Sequence, residues 1–129
     1  MTKNSILLVE DEVLLCWVLD EAMRECGYEV RTLTTGNEGL NALEECGSFD
    51  VLVTNIRLAD GPDGWALARR ARELNPSIGV LYVSGDSASA HDREGVEGSL
   101  MLTKPFLPDE VCAAVASIFE GSAQATGTR

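Results

Sequence analysis

The amino-acid sequence predicts a single α/β domain, in which a parallel sheet of five strands is covered on both faces by about five helices. Two observations support this prediction. Short apolar runs rich in Val, Leu and Ile recur along the chain, as is typical of strands buried on both faces. Segments with apolar residues at helical spacing lie between them. Strands that alternate with helices form right-handed βαβ units, which build a parallel sheet.

Three strong and two weaker runs predict the strands. The strong runs are Ile6–Val9, Val51–Thr54 and Val80–Ser84, and the weaker ones are Glu29–Leu33 and Ser99–Leu102. Four segments with helical spacing predict helices: Val13–Glu25, Asn37–Cys46, Asp63–Leu74 and Pro108–Phe119. Glycine or proline follows the first three, and Pro108 suits the first turn of the fourth.

Two segments lack a strong pattern. Asp86–Gly98 carries one large aliphatic residue, so we expect at most a short helix there and the least ordered internal segment. We assign the domain to residues 1–120 and expect residues 121–129 to be a disordered tail, because they show no apolar periodicity.

Composition and charge narrow the functional class. The 129 residues carry a net charge of −11, which disfavours binding to nucleic acid or to an anionic membrane. No signal segment or membrane-spanning apolar run is evident. The four cysteines have no C-x-x-C spacing. We therefore expect a cytoplasmic protein with free thiols, whose partner is a protein or a cation.

Polar residues follow the predicted strands at the edge of the sheet where ligands bind in parallel α/β proteins. Glu10 and Asp11 follow the first strand, Asn55 the third, Ser84 ends the fourth, and Lys104 follows the fifth. Two carboxylates, an amide, a hydroxyl and an ammonium would converge on one pocket. Carboxylate oxygens with room for water suit Mg²⁺.

Four motifs at these strand ends resemble those of the response-regulator receiver family. They are I-L-L-V-E-D-E, D-V-L-V-T-N-I-R-L-A-D-G-P-D-G-W, V-L-Y-V-S-G and L-T-K-P-F, and the resemblance covers about residues 3–120. It implies a flavodoxin-like sheet of order 2-1-3-4-5. It also implies a stand-alone, non-enzymatic receiver in a two-component phosphorelay. Its partner would be a sensor histidine kinase or a histidine phosphotransfer protein, and its output would pass through protein contact.

The resemblance also assigns roles to individual residues. Glu10 and Asp11 match the acidic pair that holds Mg²⁺, and the main-chain carbonyl of Arg57 matches a further metal ligand. Ser84 matches the hydroxyl that hydrogen-bonds the phosphoryl group. Lys104 matches the lysine that pairs with the acceptor or the phosphoryl oxygens. Pro105 matches a proline preceded by a cis peptide bond.

The chain departs from the family at the phosphoacceptor, where Asn55 stands in place of aspartate. Phosphoryl transfer needs an anionic oxygen nucleophile, which an amide lacks. We expect no phosphorylation at Asn55 and weakened Mg²⁺ binding, with the amide oxygen still available as a ligand. Asn55 is either native to a pseudo-receiver or a deliberate substitution. Two further hypotheses stay open: an adaptor that works without phosphorylation, and a phosphatase with an aspartyl intermediate, against which Asn55 counts.

Two other positions bear on signalling. Met101 lies where many receivers carry a switching aromatic residue, and it is most simply a core side chain. Leu14 and Trp17 lie off the inferred core face of the first helix, which predicts a surface for a phosphotransfer helix or for a second copy of this chain. The alternative is that Trp17 packs against the last helix.

Overall fold

The computed structural model describes residues 4–46, 48–85 and 90–126, and it confirms the predicted α/β architecture. Strands and helices alternate along the chain. The strands are β1 Ser5–Val9, β2 Glu29–Leu33, β3 Val51–Asn55, β4 Gly79–Ser84 and β5 Leu100–Thr103. The helices are α1 Val13–Glu25, α2 Gly36–Cys46, α3 Gly64–Leu74, α4 His91–Glu94 and α5 Pro108–Thr126.

The five strands form one parallel sheet in the order β2-β1-β3-β4-β5, as the family resemblance implies. All five strands point the same way, so their carboxyl ends share one edge. The two central pairings set Val9 opposite Thr54 and Asn55 opposite Val83. This register brings the polar residues after β1 and at the ends of β3 and β4 to the same part of that edge.

Side chains of the central strands alternate between two apolar layers, as expected for a sheet covered on both faces. Leu7, Leu52 and Tyr82 pack with α2 and α3 on one face. Ile6, Val53 and Val83 pack with α1 and α5 on the other. The helices bury one stripe each, and that of α1 consists of Cys16, Leu19 and Met23 at helical spacing. The central strands are thereby enclosed between two apolar layers.

In the described part of the weakly patterned segment before β5, residues 90–98, the α-helix α4 has four residues, in agreement with the sequence prediction for that part. Residues 86–89, where that segment begins, lie outside the described residues. The part that is described is held by neighbouring elements. The Tyr82 hydroxyl accepts a hydrogen bond of 3.1 Å from the Val96 N–H, and His91 Nε2 lies 2.9 Å from Ser99 Oγ. Half-buried Met101 lies opposite Tyr82 and packs as a core side chain.

The last helix extends beyond the expected domain boundary. Helix α5 continues through Thr126, six residues past Glu120. Apolar periodicity, on which the boundary rested, does not report helix propensity. Alanine is the strongest helix former and is present twice in this stretch, at Ala123 and Ala125. Residues 127–129 lie outside the described residues.

Two expectations from composition concern the membrane and the thiols. Among the described residues, no helix has the length and apolar character needed to cross a bilayer. Cys16, Cys26 and Cys112 are free thiols, as predicted. The side chain of Cys46 lies outside the described residues.

Candidate functional site

The polar residues predicted to converge do so at the carboxyl edge of the sheet. Glu10 is buried directly after β1, Asn55 is buried as the last residue of β3, and Ser84 is buried as the last residue of β4. Lys104 follows β5, and its N–H donates a 2.7 Å hydrogen bond to the Ser84 carbonyl. These residues therefore share one edge of the sheet, and the single pocket that they would form stays a prediction.

The Asn55 carboxamide links the acidic pair to the start of the next loop. Its Nδ2 lies 3.3 Å from Glu10 Oε2 and 3.1 Å from Asp11 Oδ1, as a donor to both carboxylates. Its Oδ1 accepts a 2.9 Å hydrogen bond from the Ile56 N–H. All of the functional groups of this side chain are thus engaged inside the pocket.

Glu10 is a buried carboxyl group in a strongly polar setting. Loss of solvent raises its pKa, while the Glu12 N–H, which donates to Oε2 at 3.0 Å, and the Lys104 ammonium oppose that rise. Glu10 Oε1 has no hydrogen-bond partner among the described residues, and it faces the Lys104 Nζ at 3.7 Å. A buried oxygen in this condition would accept a cation or a water molecule readily.

Lys104 reaches the pocket, but its ion pairs differ from the expected pairing with the acceptor residue or with phosphoryl oxygens. Its Nζ forms an ion pair with Glu12 Oε1 at 3.2 Å, in addition to the longer contact with Glu10. Sequence analysis missed Glu12, although the run E-D-E at positions 10–12 contained the signal. The Lys104–Pro105 peptide bond is cis, which confirms the prediction for Pro105.

The loop between β3 and α3 closes one side of the site by close backbone packing. The Gly64 N–H donates a 2.7 Å hydrogen bond to the Ile56 carbonyl, which folds the loop back onto the end of β3. Asp60 and Gly61 have positive φ angles of 51° and 117°, and they permit the sharp reversal within the loop. Arg57, two residues beyond Asn55, is exposed in this loop.

The residues of the pocket fit a hard cation in part. The carboxylates of Glu10 and Asp11 offer the oxygen ligands that Mg²⁺ prefers, and Glu10 Oε1 is a buried oxygen without a hydrogen-bond partner in the described chain. Asn55, however, presents its nitrogen to the acidic pair. Within residues 4–46, 48–85 and 90–126, no three or more His, Cys, Asp or Glu side chains are grouped so as to hold a metal ion.

A separate apolar surface lies on α1, outside the pocket. Leu14 and Trp17 are 80% and 63% exposed, which counts against the alternative that Trp17 packs against α5. Val13 and Val18 on the same helix are also exposed, as is Leu107 just before α5. A shallow cavity of about 250 Å³ is lined by Trp17 of α1 and by Pro108 and Asp109 at the start of α5.

Comparison with known proteins places the chain in a family. The family profile of the response regulator receiver domain matches residues 6–116. The chain therefore belongs to the response regulator receiver family of two-component signalling. Receiver domains are in general signalling domains rather than enzymes. They generally bind Mg²⁺ at an acidic pocket and interact with histidine kinases or phosphotransfer proteins.

Individual relatives agree with this assignment. The response regulator receiver protein CpdR of Brucella abortus is 33% identical over 103 residues, which cover 78% of this chain and 84% of CpdR. The transcriptional regulator NtrC of Klebsiella pneumoniae is 32% identical, but the chain spans only about a quarter (24%) of its length. The crystal structure of a receiver protein from Sinorhizobium medicae matches with a TM-score of 0.89 and 32% identity, and covers 93% of this chain and 97% of that one.

Proposed function

We propose that this chain is a receiver module of a two-component phosphorelay that signals by protein contact and accepts no phosphate while Asn55 occupies the acceptor position. One observation carries the proposal. The side chain at the end of β3, between the acidic pair and the next loop, is a carboxamide whose oxygen is engaged by the Ile56 N–H. It supplies no anionic nucleophile for attack on phosphorus. The test is phosphorylation of the chain and of its Asn55→Asp variant by a small phosphodonor.

The remaining groups of the pocket suit the receiver reaction. Ser84 and Lys104 would bind phosphoryl oxygens, since the hydroxyl can donate a hydrogen bond and the ammonium carries positive charge. Glu10, Asp11 and the Arg57 carbonyl would hold Mg²⁺, which supplies charge neutralisation during phosphoryl transfer. Asn55 in place of Asp removes one negative charge from this site, so Mg²⁺ binding is weakened.

A phosphorylation-independent adaptor is the second candidate, and the hydrogen bonds of Asn55 favour it. The carboxamide donates to one oxygen of each carboxylate and accepts from the Ile56 N–H, so the polar groups of Asn55 are all engaged without any phosphoryl group. A phosphatase with an aspartyl intermediate receives no such support, because its nucleophile would have to be a carboxylate at the end of β3.

The partner surface proposed for a histidine kinase, a phosphotransfer protein or a second copy of this chain is the exposed face of α1 at Leu14 and Trp17. Contiguous exposed apolar patches often mark binding sites, and tryptophan is enriched among the residues that contribute most to binding at interfaces. Glu21 and Glu25 line the cavity beside Trp17, together with Asp109, so the surface combines an apolar centre with an acidic rim. A helix with apolar and basic residues fits it best.

The Trp17→Ala variant is expected to bind such a partner, or to self-associate, at least about tenfold more weakly, because a central tryptophan commonly contributes about 2 kcal/mol or more to binding. Sedimentation velocity measures self-association, and titration calorimetry with phosphotransfer domains measures partner binding. Leu74→Ala is the matched control, since Leu74 is an exposed apolar residue on α3, away from this surface. Equal affinity of the parent and Trp17→Ala would place the interface elsewhere.

A further inference from the structure

We propose that the Asn55 carboxamide occupies the place of a cation between Glu10 and Asp11, and that this side chain therefore competes with Mg²⁺ for its own pocket. The inference deepens the proposed function, on which it rests, because it concerns the same site. It also goes beyond the loss of one negative charge, since it assigns to the carboxamide an active role against the metal.

The first support is the position of the amide nitrogen. Nδ2 lies 3.3 Å from Glu10 Oε2 and 3.1 Å from Asp11 Oδ1, so a single group bridges the two carboxylates. An amide NH₂ has two hydrogens, and each can point at one of these oxygens. Hydrogen bonds to ionised carboxylates are stronger than those between neutral groups. The acidic pair thus obtains from Asn55 part of the stabilisation that a cation would give.

The second support is that the orientation of the carboxamide is fixed from its other side. Oδ1 accepts the Ile56 N–H at 2.9 Å, and Ile56 is buried. Turning the carboxamide over would set Nδ2 against this N–H, donor against donor, and would set Oδ1 against the two carboxylates. A buried N–H without an acceptor is unfavourable. The amide oxygen can therefore face a metal only at the loss of all three hydrogen bonds.

This mechanism makes a prediction that the charge argument does not. Asn55 and alanine are both neutral, and alanine offers no oxygen ligand, so charge and ligand count alone predict equal or weaker Mg²⁺ binding by Asn55→Ala. Competition by the carboxamide predicts the opposite. Removing the side chain frees Glu10 and Asp11 for the metal and leaves room for water ligands, which Mg²⁺ tends to keep.

The experiment compares Mg²⁺ binding by the parent, Asn55→Ala and Asn55→Asp. Calorimetry measures the affinity, and the thermal unfolding midpoint at several Mg²⁺ concentrations measures the stabilisation by the bound ion. We expect Asn55→Ala to bind Mg²⁺ about tenfold more tightly than the parent, because the hydrogen bonds to charged groups no longer have to be broken. Asn4→Ala is the control, since Asn4 is exposed and precedes β1, at the opposite edge of the sheet. It should bind Mg²⁺ like the parent. The inference would be overturned if Asn55→Ala bound Mg²⁺ no more tightly than the parent. Undetectable binding by both proteins would count as that result.

A second measurement uses the parent alone and does not depend on the folding of any variant. In ¹⁵N NMR spectra, the two Nδ2 protons of Asn55 should exchange slowly with solvent and keep their chemical shifts during Mg²⁺ titration to concentrations that saturate Asn55→Asp. Large shifts of these signals at low Mg²⁺ would contradict the inference. Failure of the proposed function is distinguished from failure of this inference by a different result, namely the absence of phosphate uptake by Asn55→Asp.

Discussion

Replacement of Asn55 by Asp is expected to change phosphate uptake from none to nearly one phosphoryl group per chain, with a small phosphodonor such as acetyl phosphate and with Mg²⁺ present. The substituted carboxylate would lie at the end of β3, beside Glu10 and Asp11, where the parent has an amide. It provides the anionic oxygen that attack on phosphorus requires, and the metal and Lys104 reduce the negative charge of the transition state.

The product is identified by intact mass and by its chemistry. The added mass should equal one phosphoryl group, and hydroxylamine should remove it, as expected of an acyl phosphate. Omission of Mg²⁺ should abolish uptake. Asn4→Asp is the matched control, because it makes the same substitution at an exposed position outside the pocket. Deamidation of Asn55 in the parent would mimic the gain, but the bulky Ile56 that follows should keep it slow, and the intact mass reveals it.

Two outcomes would contradict the assignment in different ways. Stoichiometric, Mg²⁺-dependent phosphorylation of the parent would place the acceptor on another residue, of which Asp11 is the nearest carboxylate in the pocket. Absence of phosphorylation in Asn55→Asp would show that the pocket has lost more than its nucleophile. The adaptor would then become the better hypothesis.

The sheet and most helices could be predicted because their signals are local. The apolar runs of β1, β3 and β4 are too continuous for a half-exposed strand, and helix α1 begins and ends where its spacing and Gly27 predict. The end of α5 was missed, since helix propensity without an apolar stripe leaves no periodic signal. Residues 121–126 have that character.

The members of the candidate site could be predicted, but their contacts could not. Parallel strands bring their carboxyl ends to one edge, so Glu10, Asn55 and Ser84 had to lie near one another. The partner of Lys104 depends on side-chain rotamers and on the loop after β1, and Glu12 was overlooked for that reason. The orientation of the Asn55 carboxamide depends on one backbone N–H in the following loop, which no sequence pattern encodes.

Gly64→Ala is expected to destabilise the protein by about 3 kcal/mol, the upper end of the range for overpacked sites. Gly64 is the first residue of α3, where alanine would ordinarily stabilise the helix by up to about 1 kcal/mol. Here the added Cβ would lie 2.3 Å from the Asn55 carbonyl oxygen and 2.9 Å from the Ile56 Cα. Both are backbone atoms, so the contact cannot be relieved by rotation of a side chain. Alanine usually stabilises a helix relative to glycine, but at position 64 it is therefore expected to lower the free energy of unfolding.

The same displacement would disturb the site, because Asn55 and Ile56 carry the carboxamide and the N–H that orients it. Urea unfolding measures the loss of stability, and in the Asn55→Asp background Gly64→Ala should also lower the rate of phosphate uptake. Gly85→Ala is the matched control: this glycine follows β4 at the same edge of the sheet, and a Cβ there would meet no atom of the described residues within 4 Å. A Gly64→Ala protein as stable as Gly85→Ala, with undiminished phosphate uptake, would show that the loop between β3 and α3 moves freely and that its packing does not hold position 55 in place.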